Sequence, residues 1–561
     1  MNGRTLQSER LGPLPIINHF IQRIGLEDLI DRYVRSDSRC AVPHSRALGV
    51  LLRSIIVERE PIYRQQETVQ VFATGMFGVA AEEMEHLGDD RLGRALDRLF
   101  DADRAALLTE VVVAVGQRFN LRFEEFHNDS TSVSFCGNYR AASGRKIRGR
   151  TAPAIVHGFS KDHRPDLKQL MFILTTCADG GVPVAFRCAD GNASDARTHL
   201  ETWNSLRAVA GRADFLYVAD SKLCSRENMD DIDRAGGRFV TVLPRTRLED
   251  QEFRQWIQTH APDWECVWDR PNPRYSDGPR DRWYVYRAPL LSAEVWPVVW
   301  VWSTLLTLRQ AARRRRDIAA ATEELNELRG RLAGAKARSR GAAEIDLQIK
   351  MILDRHHVGR YLKVSRVVRE EHLYRQTRRG RPGPDMDYRK ITKRRFDIEW
   401  TTDEEAIAYD HESDGMYPLI TNDRNLSPAQ VLEAHKGQPT IEKRFEQIKT
   451  VHEIAPVFLK NEGRIEALFT LYFLALLVQA LIERELRLAM KREKIARLPI
   501  YPEQRFCARP TTEQILGLFS LVQRHTLAQD GNTVQIFDAQ FTDLQRQVLT
   551  LLGVSEQAFQ L

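Results

Sequence analysis

Apolar residues recur at three- and four-residue spacing through the first 118 residues, which is the pattern of amphipathic helices. Clear examples are Ile16, Ile17, Phe20, Ile21 and Ile24, followed by Leu48, Leu51, Leu52, Ile55 and Ile56. The pattern predicts an all-helical N-terminal domain over residues 1–118. Such a domain could bind DNA or serve in packing and dimerisation, and the sequence leaves both possibilities open.

From about residue 121 the spacing of apolar residues changes from a helical pattern to short runs that are typical of strands. Short apolar runs at 123–135, 169–177, 182–188, 214–219 and 238–243 predict strands, and helical patterns at 196–210 and 226–235 lie between the later ones. Three strands followed by alternating helices and strands indicate an α/β fold, in which a mixed sheet is flanked by helices. We assign residues 119–247 to this first part of the core.

The α/β pattern stops after residue 247. Seven of the nine tryptophans lie between Trp256 and Trp302, in short alternating segments that predict strands. A long charged helical region follows Ser303 and reaches about Asp354, and a solvated antiparallel helical hairpin is its simplest interpretation. We therefore predict an insertion domain of strands and charged helices over 248–425. The core then resumes over 426–490, and a C-terminal helical region covers 491–561.

Composition narrows the class of protein. Hydrophobic residues make up 43% of the 561 positions and charged residues 28%, as in soluble globular proteins, and the net charge is +6. The seven cysteines are scattered without a CxxC pair, which fits a reducing cytosol. The most apolar stretch, 467–482, is shorter than the ~18 residues of a membrane span and is expected to be a buried helix. No leader peptide is evident at the N-terminus, so we expect a cytoplasmic protein without membrane partners.

Three carboxylates stand out by their setting. Asp129 lies in the first predicted strand, Asp220 ends a buried strand, and Glu442 lies in the first turn of a helix. Ligands of α/β sheets usually meet the carboxyl ends of the strands. Carboxylates gathered there repel one another unless a cation intervenes, and their hard oxygens suit Mg²⁺ or Mn²⁺. Strand-end and helix-start acids are also common as caps and surface charges, and the residues alone do not decide between these interpretations.

Several sequence segments favour the metal site over caps and surface charges as the role of these acids. The SKDHRPDL string is the most specific of these segments. They are LGPLP at 11–15, DST at 129–131, GFSKDHRPDL at 158–167, GNASD at 191–195, VADS at 218–221, DGMYPLITN at 414–422 and IEKRF at 441–445. With these segments the chain resembles a bacterial insertion-sequence transposase of the DDE type, in the group with a Tyr-Arg-Glu-Lys signature.

The resemblance implies an RNase H-like catalytic core interrupted by a β-rich and helical insertion. It implies that Asp129, Asp220 and Glu442 form a metal-binding catalytic triad that holds two Mg²⁺ or Mn²⁺ ions. The expected activity is metal-dependent cleavage at the ends of a mobile element, followed by strand transfer into target DNA. The implied partner is double-stranded DNA, bound by a homodimer because two ends must be paired, with the bacterial protein on the nucleoid when DNA is bound.

The Tyr-Arg-Glu-Lys signature is only partly retained. Lys449 lies seven residues after Glu442, at the signature lysine position, while His435 and Gln438 replace the tyrosine and the arginine. Glutamine can donate a hydrogen bond to a phosphate oxygen but supplies no charge, and histidine only partly substitutes for tyrosine. Two alternatives therefore stay open: a domesticated DNA-binding protein that has lost catalysis, and a metal-dependent nuclease that cuts without joining.

Basic clusters supply further candidate DNA contacts. Arg145 and Lys146, with Arg148 and Arg150 behind them, follow the first strand of the core, and Arg379 and Arg381 lie in an RGRPG segment predicted to be an exposed loop. Each cluster could bind the DNA backbone or be an ordinary solvated surface. An insertion-domain tryptophan could stack on a flipped base, although most of the seven are expected to be core residues.

Overall fold

The computed structural model describes residues 4–137, 139, 142–193, 195–272, 277–334, 341–455, 459–529 and 532–560. Ser194, in the GNASD segment, lies outside the described residues. The chain forms two compact units, each considered by itself below. The first comprises residues 1–241, 421–423 and 433–561, and the second comprises 242–420 and 424–432.

The N-terminal region contains one strand and seven α-helices among its described residues: β1 (Arg4–Arg10), α1 (Leu14–Ile24), α2 (Leu26–Tyr33), α3 (His44–Val57), α4 (Gln65–Val71), α5 (Ala81–Met84), α6 (Asp89–Asp101) and α7 (Arg104–Arg118). The core continues with β2 (Glu125–Phe135), β3 (Lys146–Ile147), β4 (Arg150–Thr151), β5 (Lys168–Cys177), β6 (Pro183–Asp190), α8 (Asp195–Ala210), β7 (Leu216–Ala219), α9 (Arg226–Arg234) and β8 (Arg238–Val242).

The following elements are α10 (Leu248–Trp256), β9 (Glu265–Arg270), β10 (Asp281–Arg287), β11 (Val298–Ser303), α11 (Thr304–Ala333), α12 (Ala342–His356), β12 (Leu362–Gln376), β13 (Tyr388–Thr402), α13 (Glu404–Glu412) and β14 (Met416–Thr421). The chain ends with α14 (Pro428–His435), α15 (Pro439–Glu446), α16 (Glu462–Arg492), α17 (Thr512–Gly517), β15 (Gln523–Gln529), β16 (Asn532–Phe537) and α18 (Asp543–Leu552).

The first unit contains the mixed sheet that the sequence predicts. Its strands lie in the order β6-β5-β2-β7-β8, with β5 antiparallel to both of its neighbours and β2, β7 and β8 parallel. The five strands and the two intervening helices are those that the sequence pattern predicts, and their ends agree with the prediction to within two residues. The fold of this unit is therefore mixed α/β.

Helix α16 is the central core element of the first unit. It packs against β6 of the sheet and against α3, α6 and α18. The rings of Phe469 and Phe172 are 5.9 Å apart, and those of Phe473 and Phe186 are 5.8 Å apart. By length and composition α16 could cross a membrane, but 89% of its most apolar window is buried inside the protein. The stretch 467–482 is thus buried in the core, as the sequence predicts.

The two ends of the chain differ from the sequence prediction. Residues 4–10 form β1 instead of part of an all-helical domain, and β15 and β16 lie in the region predicted to be helical. These three strands form one antiparallel sheet in which Thr5 pairs with Ala528 and Glu9 pairs with Arg524. The pairing joins segments about five hundred residues apart in sequence, and the polar RTLQSER segment carries no apolar alternation that predicts it.

The second unit confirms the strands expected among the tryptophans. β9, β10 and β11 pair in antiparallel order, and β11 pairs with β14. Trp300 is 1% exposed, and its ring stacks on Phe253 at 3.7 Å. The charged region after Ser303 forms α11 and α12, and their packing brings Glu324 to within 2.8 Å of Arg355. That contact is the one expected of an antiparallel hairpin.

Candidate active site

Asp129 and Asp220 lie side by side in the first unit. β2 and β7 are parallel, and Asn128 is aligned with Ala219, so the two aspartates occupy the next equivalent positions. Neighbouring strands are about 4.8 Å apart, and equivalent positions of parallel strands face the same side of the sheet. The two carboxylates therefore share one face, and the negative charge of Asp220 contributes to the shifted pKa of Asp129.

The surroundings shift the two pKa values in opposite directions. Burial raises the pKa of Asp129, and this effect outweighs the stabilising contacts from Lys161 and the Ser130 backbone N–H. Burial also acts to raise the pKa of Asp220. There, however, the contact with His199 and the hydrogen bond from the backbone N–H of Lys222 prevail, and the pKa is lowered. Two titratable groups with diverging pKa values in one site are typical of functional sites.

His199 contacts Asp220, and the sequence did not indicate this contact. Its Nε2 lies 3.7 Å from Asp220 Oδ1, and its Nδ1 lies 3.1 Å from the hydroxyl of Tyr217. The His199 side chain is buried. It comes from α8, twenty-one residues before Asp220, and no motif connects the two positions. Only the packing of α8 on the sheet brings the imidazole to the carboxylate.

The SKDHRPDL segment forms a loop over β2. The Lys161 ammonium lies 3.2 Å from Asp129 Oδ1 and also donates to the carbonyl oxygen of Ser130. The backbone N–H of Lys161 donates to Ser132 Oγ at 3.0 Å. The hydroxyl of Ser160 accepts from the backbone N–H of Arg164 at 3.1 Å, which fixes the turn. The most specific segment of the sequence thus supplies a lysine that binds the first aspartate, a role that sequence reasoning did not assign.

The same loop contacts the segment that carries Lys449. Asp162, adjacent to Lys161, forms an ion pair with Lys449. Lys449 lies in a single π-helical turn, Gln447–Val451, directly after α15. Such turns occur often at functional sites. The two neighbouring loop residues therefore connect Asp129 on the sheet to the segment after Glu442.

Glu442 lies in the first turn of α15 and is exposed. The opposite face of α15 is anchored, because Arg444 is buried and forms an ion pair with Glu483 at 2.9 Å. The helix lies beside β2 and β5. Across the described residues, however, no three His, Cys, Asp or Glu side chains are grouped closely enough to hold a metal ion. The structure thus brings Asp129 and Asp220 together and leaves Glu442 outside such a group.

His435 and Gln438 flank Gly437, which packs against His127 of β2. Burial lowers the pKa of His435 to about 4, so its imidazole is neutral at pH 7. Gln438 Nε2 is buried and has no hydrogen-bond partner among the described residues. Between them, a Cβ atom at Gly437 would clash with the ring of His127, because the backbone packs closely against that ring. Neither position supplies a positive charge at neutral pH.

The basic clusters differ in how their charges are compensated. Arg145 forms an ion pair with the buried Glu462 at 3.2 Å, and Arg148 pairs with Asp101 at 3.2 Å. Lys146 is exposed in β3. In the second unit, Arg379 and Arg381 are exposed in the loop between β12 and β13, as the RGRPG segment predicts.

Comparisons with known proteins give two findings. A family model described as "Domain of unknown function (DUF4277)" matches residues 6–113. Among solved structures, the cryo-EM structure of the piggyBac transposase synaptic complex with hairpin DNA is similar at 10% sequence identity, with a TM-score of 0.25. That match covers 53% of this chain and 63% of the piggyBac chain, so the chain spans less than two thirds of it. A comparison with curated proteins found no match.

Proposed function

We propose that the protein is a DNA transposase of the DDE type, which cuts the ends of a mobile element and joins them to target DNA. The observation that carries the proposal is the pair Asp129 and Asp220, aligned on neighbouring parallel strands with pKa values shifted in opposite directions. The ordered sequence segments described above support it. So does the DUF4277 match, because this domain is commonly found in transposases.

The aspartate pair suits a divalent cation. Mg²⁺ is usually held by one or two carboxylates and completes its coordination with waters and substrate phosphates. The carboxylate of Asp129 already accepts a cationic group, the ammonium of Lys161. When bound, Mg²⁺ or Mn²⁺ would polarise the scissile phosphate and lower the pKa of an attacking water or 3′-hydroxyl. We propose that Glu442 completes the site when DNA is present.

The remaining residues would position these groups. His199, whose Nε2 lies 3.7 Å from Asp220 Oδ1, would favour the ionised form of Asp220. Lys161 and Lys449 would each bind a DNA phosphate, because an ammonium is a compact positive charge that can exchange a carboxylate partner for a phosphate. Such an exchange would break the ion pairs that Lys161 now forms with Asp129 and Lys449 with Asp162. In our proposal the enzyme forms no covalent intermediate, and the chain provides charge and geometry.

The proposal is tested with oligonucleotides taken from the DNA that flanks the gene. The full chain, incubated with Mn²⁺ or Mg²⁺, should nick a duplex carrying the element end and transfer its labelled 3′-hydroxyl end to a plasmid. Asp129→Asn, Asp220→Asn and Glu442→Gln should each abolish both reactions while leaving DNA binding intact. Glu446→Gln, on the same helix, serves as the control. Full strand transfer by any of the three variants would remove that acid from the site.

A second candidate function, DNA binding without catalysis, is favoured by the neutral character of His435 and Gln438. If the chain is such a binding protein, Gln438→Arg should tighten DNA binding without producing Mn²⁺-dependent nicking. In a transposase the same substitution should raise strand transfer. A nuclease would instead nick the duplex without joining its 3′ end to the plasmid.

A further inference from the structure

The second unit carries a long two-stranded ribbon formed by β12 and β13. The pairing runs continuously from Leu362 opposite Thr402 to Gln376 opposite Tyr388. The base of the ribbon is anchored, because Leu362 and Ile398 are buried in a small core with α11 and α12. Beyond this base, none of the residues 368–395, all of which are described, is buried. At about 3.3 Å per residue, the part of β12 after Val368 extends roughly 25 Å.

The ribbon is strongly basic. Residues 362–402 contain twelve Lys or Arg and six Asp or Glu, an excess equal to the net charge of +6 for the whole chain. The cations nearer the base are compensated, since Arg366 pairs with Asp346, Arg394 with Glu370 and Arg395 with Glu371. Arg369 likewise lies 2.7 Å from a carboxylate oxygen of Asp397.

The outer part differs in this respect. We call residues 373–393 the distal arm. Seven of its cations form no ion pair with any described residue, and they are Arg375, Arg378, Arg379, Arg381, Arg389, Lys390 and Lys393. A surface whose charges served solubility alone would mix both signs, as the base of the ribbon does. The distal arm has only Asp385 and Asp387 as acids.

The register adds a second argument. Arg375 lies directly opposite Arg389, and like charges at opposed positions destabilise a strand pair. A two-stranded ribbon with both faces in solvent is marginally stable by itself. The exposed rings of Tyr374 and Tyr388 add apolar surface to the same region. An anion placed between the opposed arginines would convert this repulsion into attraction.

We propose that the distal arm binds duplex DNA by lying in the major groove, with its cations on the phosphates at both rims. The major groove is about 12 Å wide and admits a two-stranded ribbon. Phosphates along each rim form two lines of negative charge that match cations along two strands. The proposal rests on the proposed function and adds to it a DNA-binding surface outside the aspartate site.

The test compares two triple variants of the full chain that lose the same charge. The distal variant carries Arg375→Gln, Arg381→Gln and Arg389→Gln. The control variant carries Arg369→Gln, Arg394→Gln and Arg395→Gln, which are exposed and ion-paired. Affinity for a labelled mixed-sequence DNA duplex is measured over a range of salt concentrations. Thermal unfolding of both variants establishes that they fold.

In the distal variant we expect the salt dependence to become shallower. The magnitude of the slope of log affinity against log salt should decrease by about 3, because each phosphate contact contributes about 1. In the control variant the slope should decrease by less than a third of that amount, because the substituted arginines are already paired with carboxylates. Equal losses in the two variants would mean that net charge alone matters and would overturn the proposal. Unchanged slopes in both variants would overturn it as well.

Binding to a duplex RNA of the same sequence tests whether the distal arm inserts into the major groove. A-form RNA has a deep and narrow major groove that cannot admit the ribbon. The distal substitutions should therefore weaken DNA binding much more than RNA binding, and equal effects would contradict insertion into the groove. The measurement is independent of catalysis. A chain that binds through the arm but never nicks DNA would refute the proposed function and leave this inference standing.

Discussion

The ammonium of Lys161 lies 3.2 Å from a carboxylate oxygen of Asp129. This contact links the most specific segment of the sequence to the first acid of the proposed site. It also gives Asp129 a cationic partner that any divalent cation must displace or accommodate.

Removing the lysine charge should therefore strengthen binding of a metal ion. In Lys161→Met, Mn²⁺ should bind the DNA-free protein about tenfold more tightly, equivalent to about 1.4 kcal/mol, because a competing cation is lost. Isothermal titration with Mn²⁺ measures the change. Lys491→Met, an exposed substitution in the last turn of α16, is the matched control and should leave the affinity unchanged. Weaker Mn²⁺ binding in Lys161→Met would show that the ammonium supports the site in some other way.

Neutralising the first aspartate should separate activity from stability. Because burial raises the pKa of Asp129, the ionised carboxylate lowers the free energy of unfolding at pH 7. Asp129→Asn is expected to keep or raise the melting temperature and to lower Mn²⁺-dependent nicking by at least about a thousandfold. Calorimetry and the nicking assay test the two effects. A melting temperature several degrees lower would identify Asp129 as a structural residue instead.

The ion pair between Asp162 and Lys449 should weaken DNA binding by holding the lysine. Asp162→Ala frees the ammonium for a phosphate, so the affinity for duplex DNA should rise a few-fold. The cost in stability should stay below about 1 kcal/mol, as is usual for partly exposed pairs. Asp166→Ala, which breaks a neighbouring pair with Arg164, is the control and should not tighten binding. In the double variant Asp162→Ala, Lys449→Ala the gain should disappear, and its persistence would exclude Lys449 as the source.

Two buried histidines should make the folded state sensitive to acid. Burial lowers the pKa of both His435 and His452 to about 4, against an ordinary value of 6.5. With a folded pKa below the unfolded one, the stability contribution is fully present above pH 6.5 and is lost as the pH falls towards 4. For His452, which is fully buried, the loss should reach about 3 kcal/mol.

Urea unfolding measured between pH 7 and pH 4 tests this dependence. His452→Gln keeps a polar group beside Gln479, to which the imidazole is hydrogen-bonded at 2.7 Å, but cannot be protonated. The variant should lose less stability on acidification than the original chain. His86→Gln, at an exposed histidine, provides the comparison. An identical pH dependence in His452→Gln and the original chain would contradict the expected role of His452.

Much of the first unit could be predicted because its signals are local. The change of period near residue 121 locates five strands and two helices of the core, and the apolar run of α16 identifies a buried helix. The alternating tryptophan segments likewise predict the strands of the second unit. In each case the spacing of apolar residues along the chain shows that one face of the element is buried, so the sequence pattern is sufficient to predict it.

Local sequence patterns predict the order of these elements, and the sequence also contains the segments that resemble a DDE transposase and the three candidate acids. The remaining features depend on how the chain packs in three dimensions. The pairing of β1 with β15, the approach of His199 to Asp220 and the contact of Lys161 with Asp129 all join residues that are distant in sequence. Such contacts, like the burial that neutralises His435, depend on which surfaces pack together. Local periodicity carries no information about that packing, because it records only whether a face is buried and not what covers it.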